Sequence, residues 1–255
     1  MRKILILALL FFISAALYPQ KYVIGFTTGY SSFSMKELKE DLVKGAGNMP
    51  FETKVVADFP GWISFGGYAL RSFGVWSLGV GYNFNSTGGR ISSGDYSGKY
   101  LFDELLQCHS FGVINSFRVA TLGRWRAELR LTVGYNYSTM KTDEYLQVLD
   151  TSISYSAYYF SDSFYGEPAV MVSYSFPFFR IGADFGYLID SGGTIMTESS
   201  KEMPNETNWS GFQIGINIGL FPGELFRKKE RIVPKNSSTN LINYSGEVAK
   251  GPSFY

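Results

Sequence analysis

Apolar and polar residues alternate with a period of two over most of the chain from Tyr22 onward, the pattern of β-strands. In segment 209–221, Phe212, Ile214, Ile216, Ile218 and Leu220 share one face, opposite Gly211, Gln213, Gly215, Asn217 and Gly219. The same separation recurs in 179–190, 125–137, 76–84 and 22–30, where aliphatic and aromatic side chains oppose glycine, serine, threonine, asparagine and a few charges. Three further segments are less regular. Asn115 interrupts the apolar face of 110–120, Pro168 marks the start of 167–176 or a bulge in it, and 62–71 carries Trp62, Ile63, Phe65 and Tyr68 on both faces. The spacing therefore predicts eight strands.

The gaps between them alternate long and short. Short connections fall near 72–74, 122–124 and 177–178, and long ones at roughly 35–60, 86–109, 139–166 and 191–208. An antiparallel meander with tight turns at one end and long loops at the other produces this rhythm. The faces then decide between a soluble and a membrane barrel. A soluble barrel coats its outside with solvated groups such as Lys and Glu, yet none of the eight segments contains Lys. Small polar residues suit the narrow interior of an eight-stranded barrel, and the aliphatic face suits lipid. Aromatic residues bracket that face: Tyr22, Trp76, Trp125 and Phe179 near the turn end, Tyr30, Tyr82, Tyr137 and Tyr187 near the loop end, as two interfacial girdles would. The predicted fold class is all-β: an eight-stranded antiparallel up-and-down transmembrane β-barrel with long extracellular loops and one short loop helix.

Residues 1–16 read as a signal peptide: Arg2 and Lys3 precede an apolar run over 4–17, with Ser14, Ala15 and Ala16 at its end. That run is too short to span a bilayer as a helix. Residues 21–222 form the predicted barrel. Residues 223–255, with the basic run at 227–231, are expected to be a flexible periplasmic tail.

On these features the chain resembles the small eight-stranded outer-membrane β-barrel proteins of Gram-negative bacteria, over about residues 21–222. The signal peptide, the loop rhythm and a last strand ending in an aromatic carry the resemblance. It is similar in particular to a group with a helical first loop (SMKELKEDL), a glycine-rich second loop (STGGRISSGDYSGKY) and a final TNWSGFQIG strand. That group has no assigned activity, so the resemblance implies architecture and an outer-membrane location, with loops outside and both termini periplasmic.

Composition narrows the function classes. Lys+Arg 23 against Asp+Glu 22 leaves no positive excess for nucleic acid. One Cys and one His are too few for a Cys/His zinc site, and no phosphate-loop or calcium-loop spacing is present, so no metal or cofactor is predicted. If the apolar face is outward, Arg118, Arg126, Arg130, Arg180, Glu128, Glu167, Asp184 and Asp190 point inward, as a charge network plugging the lumen. Arg118, Arg126, Glu128, Arg130, Arg180 and Asp184 are expected in the turn-side half. His109 would be the natural acid–base group, but its neighbour Ser110 should point to the opposite face, which argues against a His–Ser pair. Residues 34–45 read as a helix capped by Ser34, with Glu37 three residues on and Met35, Leu38 and Leu42 as its apolar stripe, docking on the barrel's own rim. The expected partners are outer-membrane lipid, the barrel-assembly machinery and an envelope protein met through loops or tail. The primary functional expectation is a non-enzymatic surface-binding or envelope-assembly module. The alternatives are passage of a small apolar solute through the lumen or a lateral opening, and a lipid-modifying rim enzyme.

Overall fold

The computed structural model describes residues 22–221, apart from 95, 97, 198, 200, 201 and the side chain of 204. The signal peptide expected at 1–16 and the tail expected at 223–255 lie outside the described residues.

Eight strands close into an antiparallel ring: β1 (Tyr22–Ser31), β3 (Trp62–Phe73), β4 (Trp76–Gly94), β5 (Gly98–Leu122), β6 (Trp125–Val148), β7 (Thr151–Ser175), β8 (Phe179–Asp190) and β11 (Gly211–Leu220), which pairs back to β1. The chain is an eight-stranded antiparallel β-barrel. Each strand pairs with its neighbours in the ring, so every edge is closed. Three tight connections gather at one end. Gly74 and Gly123 hold positive φ of 71° and 60° in the two-residue links β3–β4 and β5–β6, a conformation that costs glycine nothing.

The segments expected as long loops at 86–109 and 139–166 are instead strand. β4 and β5 remain paired up to Gly94 opposite Lys99, and β6 and β7 up to Val148 opposite Thr151. The β6–β7 reversal uses Leu149, at φ 53°, with Asp150; no glycine or Asn-Gly signals it in the sequence. The first loop adds β2 (Lys54–Asp58) against β4, and the last adds β9 (Gly193–Thr197) and β10 (Glu202–Thr207), with β9 pairing to β7. Pro168 neither starts a strand nor forms a bulge. It lies within β7, where the ladder to β8 passes from Gly166–Ile189 to Ala169–Gly186 without pairs at 167 and 168; a proline offers no N–H there.

The helix α1 spans Lys36–Gly47. Its N-cap is Met35 in a left-handed conformation with no side-chain cap, not Ser34 as the sequence suggested; the Ser34 N–H donates instead to the Ser210 carbonyl. Met35, Leu38 and Leu42 are buried, so the apolar stripe does dock on the barrel. They join Phe33, Phe59, Ile91, Leu106, Met140 and Trp209 in one core that closes the loop end. A second, smaller cluster of Val23, Tyr68, Leu70, Ile114 and Phe221 fills the turn-side lumen.

Candidate functional site

The most informative feature is an inversion of polarity along the strands. In β5 the outward side chains Phe111, Val113, Phe117 and Val119 are apolar and exposed, and the inward Ser110 and Ser116 are polar and buried. Past His109 the inner face becomes apolar and the outer face mixed: Cys108 and Leu106 are buried inward, while Asp103 lies on the outward face beside an exposed Leu105. β6 does the same. Trp125, Leu129, Leu131, Val133, Tyr135 and Tyr137 face out, opposite Glu128, Thr132, Asn136 and Ser138; then Met140 turns into the core while Lys141 and Asp143 turn out. On β4 the outward series Trp76, Leu78, Val80 and Tyr82 gives way to an outward Arg90 and an inward Ile91. Adjacent strands therefore invert at about the same height. Arg90 and Asp103 form an outward ion pair, as do Lys141 and Asp143 at 2.6 Å.

Aromatic groups mark both limits of the outward apolar belt. Trp76 donates to Asn115 Oδ1, which accounts for the one polar interruption expected on that face. Trp125 meets Tyr174 edge-on at 5.1 Å, and Phe176 stacks on Phe179 at 4.2 Å. At the other limit the Tyr82 hydroxyl is 2.8 Å from His109 Nδ1, and Tyr30, Tyr137 and Tyr187 are exposed. Tyr22 differs from the other named aromatics: it is 4% exposed, with the Arg71 guanidinium 5.5 Å from its ring centre.

The loop-end cap is held by directed contacts as well as packing. Trp209 donates through Nε1 to Ser138 Oγ (2.8 Å) and through its backbone N–H to Asp190 Oδ2 (2.9 Å), and Phe33 meets its ring edge-on. α1 is tied to β10 because Glu37 accepts from the Glu206 N–H at 2.8 Å and Asp41 accepts from Asn205. Beneath α1 a cavity of about 220 Å³ is lined by Leu38, Leu42, Ile91, Met140, Asp41 and Glu104. Burial, with a smaller contribution from the Asp41 charge, pushes the Glu104 carboxyl up to about 7. A carboxyl raised in the folded state favours folding fully below its unfolded value and loses that advantage as pH rises through the folded value. Stability is therefore expected to fall between about pH 5 and 7, by at most about 1.4 kcal/mol per pH unit. Glu104→Gln should remove that slope in pH-resolved urea titrations, and an unchanged slope would refute the assignment.

The eight predicted interior charges do not form one network. Glu128 and Arg180 pair at 3.2 Å across β7, with side chains only 5% and 4% exposed, and Ser116 Oγ donates to the same carboxylate at 2.9 Å. Arg126 and Arg118 line the turn-side opening with them. Farther up, the Arg130 guanidinium lies 5.4 Å from the Tyr68 ring centre and 2.9 Å from Met171 Sδ. Asp184 accepts from Asn217, while Asp190 accepts from Asn136 and Trp209 at the cap. Arg130, Glu167 and Asp184 border a small polar cavity of about 70 Å³ within the lumen. Sequence reasoning missed the apolar lumen residues, Tyr68 and Leu70 above all. Their parity on β3 could have revealed them, had the mixed faces of that strand been resolved.

His109 faces outward against Tyr82, whereas Ser110 is buried inward and 3.6 Å from Cys108 Sγ, so the two do not converge. Among the described residues no three His, Cys, Asp or Glu side chains gather closely enough to hold a metal ion.

No protein-family model matches the sequence, and neither does any curated protein. Solved structures similar to the chain include Neisserial surface protein A, at 12% identity over 78% of this chain and 96% of that one, with a TM-score of 0.39. They also include Ail, the attachment invasion locus protein of Yersinia pestis (13%, 79% and 100%, 0.36), and the outer membrane protein OprG from Pseudomonas aeruginosa (15%, 80% and 96%, 0.39). At these identities and scores the likenesses assign neither function nor location.

Proposed function

We propose that this chain is an integral outer-membrane β-barrel of a Gram-negative envelope, oriented with its hairpins outside the cell. On this reading it is a non-enzymatic surface module that binds a protein partner through those hairpins. The observation that carries the reading is the inversion of polarity at one height. A wall whose outward residues are apolar below a tyrosine–histidine row, and which admits the Arg90–Asp103 and Lys141–Asp143 ion pairs alongside Leu105 above it, matches a solvent that changes from hydrocarbon to water at that row. The closed ring satisfies the second requirement of hydrocarbon, because it leaves no unpaired strand edge.

Above the row, the cap covers the inner faces of the hairpins only part of the way. At the β6–β7 tip, Ile153 and Tyr155 lie on the inner face beyond the cap and are 65% and 64% exposed, and Val148 on the facing strand is exposed too. Apolar side chains on a projecting, otherwise serine-rich ribbon suit contact with an apolar protein surface, with tyrosine supplying large area at small entropic cost. The lumen is occupied by Tyr68, Leu70 and Ile114 and by the Arg180–Glu128 pair, which favours a closed barrel over a conduit. Cross-linking in native membranes tests the binding. Wild-type protein should capture a discrete partner, and the double variant Ile153→Asp/Tyr155→Ser should reduce its yield at least about tenfold, with heat-modifiable gel mobility confirming a folded barrel. Capture unaffected by the double variant, or no captured species with the wild type, would overturn this role.

A further inference from the structure

The charged residues of the lumen are segregated along its axis. At the turn-side opening three guanidinium groups, Arg118, Arg126 and Arg180, share a cavity of about 450 Å³ with a single carboxylate, Glu128. That carboxylate is engaged by Arg180 Nη1 and by Ser116. The remaining donors are unmet: Arg180 Nε and Nη2 and Arg118 Nε are buried with no hydrogen-bond partner. The Arg180 side chain is 4% exposed and borders the cavity, so its free N–H groups cannot turn to bulk water as a surface arginine's would. Buried donors without partners are rare in native proteins. Hydroxyls of Ser72 and Ser175 lie on the same wall, and the Ser175 oxygen is also without a partner.

We propose that the turn-side opening of the lumen binds a phosphate-type oxyanion between Arg118, Arg126 and Arg180. The chemistry follows from the donors. Guanidinium groups present paired N–H bonds that match the oxygens of phosphate, and three of them against one carboxylate leave an excess of two positive charges for a dianion. The volume admits a phosphate ester as well as the free ion. The occupant is a soluble anion rather than a lipid headgroup, because these side chains point into the lumen and the barrel wall separates them from the outward apolar belt. The tail beyond Phe221 is a poor substitute: residues 222–255 carry six Lys and Arg against three Glu. The site does not depend on which partner the hairpins recognise.

The test is calorimetric titration of inorganic phosphate into the full-length protein in a phosphate-free maltoside detergent. Saturable binding is expected, weakened at least about tenfold in Arg118→Gln and in Arg126→Gln and unchanged in Arg90→Gln, whose ion pair lies at the opposite end. Neither Arg118 nor Arg126 has an ion-pair partner among the described residues, so both variants should fold. Thermal unfolding with and without phosphate provides a second reading: the phosphate-induced rise in Tm should disappear in the same two variants. Absence of saturable binding, or equal weakening by Arg90→Gln, would overturn the site. Binding that appears only in Glu224→Gln would also overturn it and would assign the pocket to the chain's own tail.

Discussion

Val113→Arg is expected to destabilise the barrel in a bilayer by about 2–4 kcal/mol, the cost of a lipid-facing cation at mid-depth. Val113 stands at the centre of the outward belt, paired with Val80 on one side and Val133 on the other, and no polar side chain in that row could receive a guanidinium. Leu105→Arg supplies the internal control. Leu105 lies on the same strand and the same outward face and is comparably exposed, but beyond the inversion row. Its replacement should cost no more than about 1 kcal/mol, as near-interface cations do. Urea titrations of folding into phosphatidylcholine vesicles, followed by tryptophan fluorescence, measure both. Equal effects of the two substitutions would mean that the outer solvent does not change at the row, and the membrane reading would fail.

Removing the carboxylate of Glu128 should cost about 3–5 kcal/mol, because Arg180 would then be a buried charge with no opposite partner. The loss is not the worth of the ion pair. A buried pair gives up hydration on both sides, and exchanging both members for apolar groups of similar size is commonly near neutral. Glu128→Ala alone is therefore expected to be far more damaging than Glu128→Leu combined with Arg180→Met. The double-mutant comparison in vesicles reads this difference directly. If the single and double variants lose the same stability, the pair is not desolvated and the turn-side lumen is open to water.

Much of the barrel was legible in sequence because each strand separates two uniform environments over the depth of the belt. Period-two alternation then has a constant phase, as in Phe212–Leu220 of β11, and the absence of lysine from those segments identifies which face is outward. The upper halves of β4 to β7 were not legible for the same reason. There charged residues enter the outer face, apolar residues such as Leu106 and Met140 take the inner one, and the original phase, continued upward, resembles a loop. The glycine-poor reversal at Leu149 concealed the hairpin further.

Local pattern alone thus determined that the chain alternates, which row is greasy, where the tight turns fall and which charges point to the axis. Tertiary structure decided which of those charges meet. Arg180 and Glu128 are 52 residues apart and sit on strands that do not pair, so their contact depends on the stagger at which the sheet closes. Closure also put Tyr68 and Leu70 in the lumen and left Arg118 and Arg126 without carboxylate partners among the described residues. Side chains facing a barrel axis meet across it, and the distance across it is a property of the whole ring rather than of any single strand.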